Sequence, residues 1–232
     1  MDLKDFESRI NSFDREYKIL LGKKFWRDFD SIDKRCAEAI LRFLKAWGIR
    51  AIPNLDNNKE IDDVKHILIK TFKGLKKDFE KLNGVKLINC KFNDEQKQTI
   101  KNIFRNLKKV KWIGETAVPK IMHLALPNLF VMWDKSIRTE YEYNGTEDGY
   151  LKFLEEMQKK AKNLLEQFKK KNHLENISDY EAQKRFEEKM QIEAKNRLYQ
   201  KNLTKLIDEY NWQTITRNKH NKHWDRIEKM NL

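Results

Sequence analysis

"KWIGETAVPKIMHLALPNLFVMWDKSIR", residues 111–138, breaks the rhythm of the chain around it. Most of the sequence is lysine-rich and helical in period. Here a glycine turn at Gly114 leads into an apolar helix, Pro127 interrupts it, and an apolar run ends on Asp134, between Trp133 and Lys135. Pro119 lacks an N–H and its ring clashes with a preceding turn, so it fits only the first turn of a helix. That places the helix at about 116–126. The preceding stretch "NDEQKQTIKNIFRNLKKV" reads as another helix, capped by Asn93 or Asp94, with acids in its first turn and lysines in its last. The two helices flank a turn of four to five residues. Asp134 followed by "KSIRTEY" makes a good N-cap, so it reads either as a plain cap or as a carboxylate delivered to a site. Both readings put it at the start of a helix.

Outward from this stretch, composition bounds the fold. The 232 residues include only 7 Gly and 3 Pro, which leaves little punctuation and predicts long helices. "DFDSIDKRCAEAILRFLKAWGIRAIP" reads as a helix from an N-cap at Ser31 to about Trp47, with Gly48 in the left-handed position after it. "EIDDVKHILIKTFKGLKKDFEKLNG" is a second helical region with a weak point at Gly74 and a turn at Asn83-Gly84. "VKLINCKF" alternates weakly, as a short strand or an extended link. "DGYLKFLEEMQKKAKNLLEQFKKK" is a long amphipathic helix, and helical periodicity continues to about 212. The expectation is all-α. Residues 1–150 form a helical domain with a helix-hairpin-helix element, 151–212 long C-terminal helices, and 213–232 a polar tail. The helices at about 31–47 and 94–109 are expected to pack with the 116–126 helix.

The net charge is +13, and its distribution matters more than its sum. Residues 65–111 carry 14 basic and 4 acidic side chains, net +10, while residues 112–150 are net −3. A basic block beside a candidate site points to a polyanion partner, nucleic acid first. Two cysteines, Cys36 and Cys90, make neither a disulfide scaffold nor a cluster or zinc-ribbon pattern. The first residues are too charged for a signal peptide, and no apolar run spans a membrane, so the expected location is cytoplasmic. His220 and His223 lack a third ligand, and no metal site is expected.

Unpaired amides at a helix N-terminus, next to a glycine that allows close approach, make an anion site. Gly114 and Thr116 stand at that position, with Arg105, Lys108, Lys109 and Lys111 at the mouth of the turn. These are the parts for gripping a phosphate of a nucleic-acid backbone, a contact that positions without reading sequence. Trp112 and Trp133 are candidates for stacking on a base. His123 lies three residues past Lys120 on the same helix face and is a further pocket candidate.

"WIGETA", followed twenty residues after its glycine by "FVMWDKSIR", resembles the helix-hairpin-helix DNA glycosylases of the endonuclease III and alkyladenine glycosylase superfamily. The resemblance covers roughly residues 95–140. It implies that Asp134 is the catalytic carboxylate, that Arg138 matches the basic residue a few positions on, and that the substrate is DNA with a base flipped from the stack. The chain departs from the pattern at three points. Trp112 replaces the first hairpin glycine, Glu115 and Thr116 stand where bifunctional members carry a lysine, and the four-cysteine cluster is absent, so no cofactor is expected. The implied activity is therefore monofunctional base excision. Lys120, one turn beyond the missing lysine, is the displaced candidate for a Schiff-base amine, a role that requires burial to depress its pKa. Two other readings stand beside this one: a nucleic-acid binding protein that keeps the hairpin without the chemistry, and a helical protein-interaction module.

Overall fold

In the computed structural model, residues 29–55, 60–193 and 201–218 are described. The fold among them is all-α, with no strand. Among these residues nine α-helices follow in order. They are α1 Lys34–Ala46, α2 Glu60–Gly74, α3 Lys76–Lys81, α4 Asp94–Lys108, α5 Ala117–Ala125, α6 Lys135–Glu140, α7 Glu147–Lys171, α8 Asp179–Glu193 and α9 Leu203–Asn211. Short 3₁₀ turns lie at Phe29–Ser31 and Leu87–Asn89, and α9 runs directly into a π-helical segment, Trp212–Arg217.

Local chemistry accounts for most boundaries. Asp33, rather than Ser31, caps α1 by accepting from the Cys36 amide at 2.9 Å. The other end of α1 closes in a Schellman turn. Gly48 takes φ +78°, its N–H bonds Lys45 O at 3.0 Å, and the Ile49 N–H bonds Leu44 O at 3.0 Å. Asn93 caps α4 through the Gln96 amide, and Asn202 caps α9 through the Lys205 amide. "VKLINCKF" forms no strand. Its backbone groups are claimed elsewhere: the Leu87 N–H bonds Asn128 O at 2.8 Å, and Gln158 Nε2 donates to Leu87 O and Cys90 O at 2.7 and 2.6 Å.

The spine is the 25-residue α7. It buries Tyr150, Phe153, Leu154, Met157, Ala161, Leu164, Leu165 and Phe168 in one stripe at helical spacing. α4 packs on one side of it and α8 on another, with Phe168 and Phe186 edge to face at 5.4 Å. α1 and α4 both pack on α5, as their apolar stripes require. One apolar cluster runs from Phe29 to Ile207. The boundary expected at 150/151 therefore falls inside α7, whose helix begins at Glu147 and serves the same core as the segments before it.

Candidate functional site

α4 and α5 are joined by a turn pinned from inside. Val110 and Ile113 are buried, the Ile113 N–H bonds Val110 O, and the Ala117 and Val118 N–H groups bond Gly114 O at 2.9 and 3.0 Å. Trp112 takes φ +69°, an uncommon conformation for so bulky a residue, at the position where the resembled family has a glycine. Gly114 has no positive φ, and a Cβ there would meet nothing within 4 Å. Among the described residues no packing demands a glycine at 114, and the space beside it is open.

Every residue of α5 is buried. The run after it is bolted at four points. Nδ1 of His123 donates to Phe130 O at 2.6 Å, Tyr150 OH donates to Val131 O at 3.0 Å, and Thr204 Oγ1 donates to Pro127 O. The fourth is the indole N–H of Trp133, which donates to Glu115 O at 2.7 Å. That last bond ties the end of the run to the residue after Gly114. The run therefore delivers Asp134 to a set position relative to the turn. Asp134 is half-buried and caps α6 by accepting from the Ile137 N–H at 2.8 Å, while its second oxygen accepts from Thr216 Oγ1 at 2.7 Å.

Asp134 opens onto a pocket of about 550 Å³. That volume lies within the usual range of small-molecule sites, roughly 300–1,000 Å³. Thr116, Lys120, Trp133, Asp134 and Ile137 form one side. The corner Ala46–Arg50 after α1 forms a second, and Lys205, Asp208, Glu209, Trp212 and Thr216 form a third.

Four charged groups of this pocket, Lys120, Lys205, Asp208 and Glu209, are buried, while Asp134 is half-buried and Arg50 exposed. Lys120 is 7% exposed, makes no hydrogen bond or ion pair with any described residue, and points its ammonium at the Trp47 ring, 5.0 Å from its centre. Burial pulls the Lys120 pKa below the ordinary lysine value, against the opposing pull of Asp208 and Asp134. Lys205 approaches the same ring at 4.7 Å and pairs with Asp208 at 3.0 Å. Burial raises the Asp208 carboxyl pKa, with Lys205 and Lys120 opposing. Glu209 pairs with Lys201 at 2.8 Å at the base of the same wall.

The residues singled out from sequence divide into three groups. Asp134, Lys120, Thr116 and Trp133 meet at the pocket. Trp133 is fully buried, so it serves as packed wall, T-shaped against Tyr150 at 5.1 Å, rather than as a mobile stacking platform. His123 does not reach the pocket. It is a fully buried core residue whose pKa burial lowers to about 3, and the neutral ring satisfies Phe130 O. The basic residues lie outside the pocket and already hold partners. Arg105 bonds Glu147 at 2.9 Å, Lys108 bonds Gly145 O at 2.8 Å, Lys109 bonds Asn106 at 3.3 Å, Lys111 pairs with Glu60 at 2.8 Å, and Arg138 pairs with Glu115 at 3.3 Å. The exposed pairs are worth about 0–1 kcal/mol each. His220 and His223 lie outside the described residues. Among the described ones no cluster of His, Cys, Asp or Glu is suited to a metal ion, and no helix is long and apolar enough to cross a membrane.

Sequence reasoning missed Trp47, Arg50, Lys205, Asp208, Glu209, Trp212 and Thr216. A signal existed: Asp208, Trp212 and Thr216 recur every four residues, a polar and aromatic stripe on one helix face. The chain matches no protein-family model, no curated protein and no solved structure.

Proposed function

We propose that this protein binds DNA and hydrolyses the N-glycosidic bond of a base turned out of the helix into the pocket, with Asp134 as the catalytic carboxylate. The observation that carries the reading is the setting of Asp134: half-buried, held by two hydrogen bonds, and facing a cavity of about 550 Å³ walled by Trp47, Trp133 and Trp212. Indole walls suit a flat aromatic ligand, and a fixed carboxylate suits a cationic transition state. The glycosidic bond breaks with its electron pair going to the base, and positive charge develops on the sugar. Asp134 stabilises that charge. Water then adds its oxygen to C1′ and one proton goes to the departing base, leaving free base and an abasic sugar. The backbone is gripped outside the pocket by the open face at Gly114 and by the lysines of the α4–α5 turn. Their surface ion pairs exchange for phosphate contacts that position without reading sequence.

A specific observation favours a second form of the same chemistry. Lys120 lines the pocket beside Asp134, and burial favours its neutral amine. A neutral amine attacks C1′ in place of water and expels the base, which leaves with one amine proton. The sugar ring then opens at its C1′–O bond, the ring oxygen takes the second amine proton, and an imine joins Lys120 to the opened sugar. The imine, protonated from water, acidifies C2′: a C2′ proton passes to water, its electron pair forms the C2′=C3′ double bond, and the C3′–O bond breaks, releasing the 3′ phosphate and cutting the strand. Release of free base from oligonucleotides carrying a panel of modified bases tests the first form. Borohydride reduction during turnover tests the second: a covalent protein–DNA adduct is expected in wild type and not in Lys120→Met. No base release from any substrate overturns the proposal as a whole.

A further inference from the structure

Both carboxylate oxygens of Asp134 are occupied, and the two donors have different origins. Oδ1 takes the Ile137 N–H from its own helix, as any aspartate N-cap does. Oδ2 takes the Thr216 hydroxyl at 2.7 Å, from 82 residues further along the chain. Thr216 is 5% exposed and sits in the π-helical segment Trp212–Arg217. Thr214, two residues earlier, does what a helical threonine does when nothing else claims it: Oγ1 donates to Tyr210 O at 2.8 Å, four residues back. A hydroxyl has one hydrogen to give. Thr216 gives its own to Asp134. The segment that carries it adopts π turns, which are rare and cluster at functional sites, and both Trp212 and Thr216 face the pocket from it.

We propose that Thr216 is the positioning residue of this site, fixing the plane of the Asp134 carboxylate toward the pocket. The reason is torsional. The terminal torsion of an aspartate is broad, and a cap bond to one oxygen leaves the other free to swing. The Thr216 hydroxyl removes that freedom. What the fixed carboxylate then does rests on the base-excision reading above.

The test compares Thr216→Val, which keeps the shape and deletes the donor, with Thr216→Ser, which keeps the donor and deletes the methyl group. Thr216→Val is expected to lower kcat for base release about tenfold or more, the weight of one hydrogen bond to a charged group. KM and oligonucleotide affinity stay unchanged, and Thr216→Ser recovers wild-type kcat. A residue that is only pocket wall gives the reverse order, Ser worse than Val, and that result overturns the inference. A second measurement needs no turnover. Thr216→Val is expected to lower the urea midpoint in the wild-type background and to leave it unmoved in Asp134→Ala, because the hydrogen bond is already gone there. An equal drop in both backgrounds overturns the inference. If wild type releases no base, the excision reading fails and this cycle alone decides whether Thr216 holds Asp134.

Discussion

The ammonium group of Lys120 stands 5.0 Å from the centre of the Trp47 ring, and Lys205 meets the same ring at 4.7 Å. Two lysine side chains share one indole inside a pocket where Lys120 forms no ion pair with any described residue. That arrangement costs stability. The folded pKa of Lys120 lies below the ordinary value of 10.5, so the unfolded chain holds more protons in the window between them. Wild-type stability therefore rises as pH climbs through that window. Lys120→Met removes the burden, so the variant is expected to melt higher than wild type at neutral pH. The gap should narrow as pH approaches 10.5. A gap that widens with pH, seen by thermal melts across that range, contradicts a buried and destabilised Lys120 ammonium.

His123 carries its pH dependence at the acid end. Its folded pKa is about 3 against an ordinary 6.5, so the folded state resists protonation while the unfolded chain accepts it. Stability attributable to His123 is present above 6.5 and is lost as pH falls toward 3. His123→Asn keeps a donor for Phe130 O and removes the titration. Between pH 6 and pH 4, wild type should lose up to about 1.4 kcal/mol per pH unit more than the variant in urea unfolding. Equal losses rule out a neutral buried His123 as the cause.

Much of the helical frame is legible in sequence, and the reasons are local. Gly48, Asn93 and Pro119 each carry their structural consequence in their own side chain or ring, so α1, α4 and α5 end or begin close to where the pattern puts them. Asp134 is legible for the same reason, since a cap is read from neighbouring residues. Half of the pocket is not. Trp47 looks like one more apolar position of α1, and Lys205 and Asp208 look like a solvated helix face until the fold brings Lys205 over the Trp47 ring. The segment 213–232 reads as tail because its composition is polar. Thr216 shows why composition misleads there: a buried polar side chain whose partner is 82 residues away leaves no local trace.

Gly145 guards the link between the turn and α6. A Cβ on it would collide with the Arg138 guanidinium and lie 2.8 Å from Glu115 Cγ, the two groups that tie α6 to the residue after Gly114. Gly145→Ala should force that pair apart and destabilise the fold by about 1–3 kcal/mol. Thermal unfolding measures it, and an unchanged melt means that Arg138 moves aside at no cost.

The lysines of the α4–α5 turn are predicted to bind backbone rather than bases. Reversing Lys108, Lys109 and Lys111 to Glu should weaken binding to all DNA sequences about equally. It should also flatten the dependence of log affinity on log salt, by about 0.9 for each phosphate that is no longer neutralised. Fluorescence anisotropy with labelled duplex and single-stranded oligonucleotides at several salt concentrations measures both. Unchanged affinity removes this turn as the grip.

The proposed role of Asp134, stabilising a sugar cation, is tested most directly by Asp134→Asn. Asn caps a helix about as well as Asp, so the fold and DNA affinity should be retained. The charge is gone, and removal of a key electrostatic group typically costs about a hundredfold or more in rate. Base release from a panel of damaged and mismatched oligonucleotides, followed for wild type and Asp134→Asn side by side, should show release by wild type and a loss of that order or more in the variant. Equal release by the two proteins, or none by wild type, would mean that Asp134 is only the cap of α6.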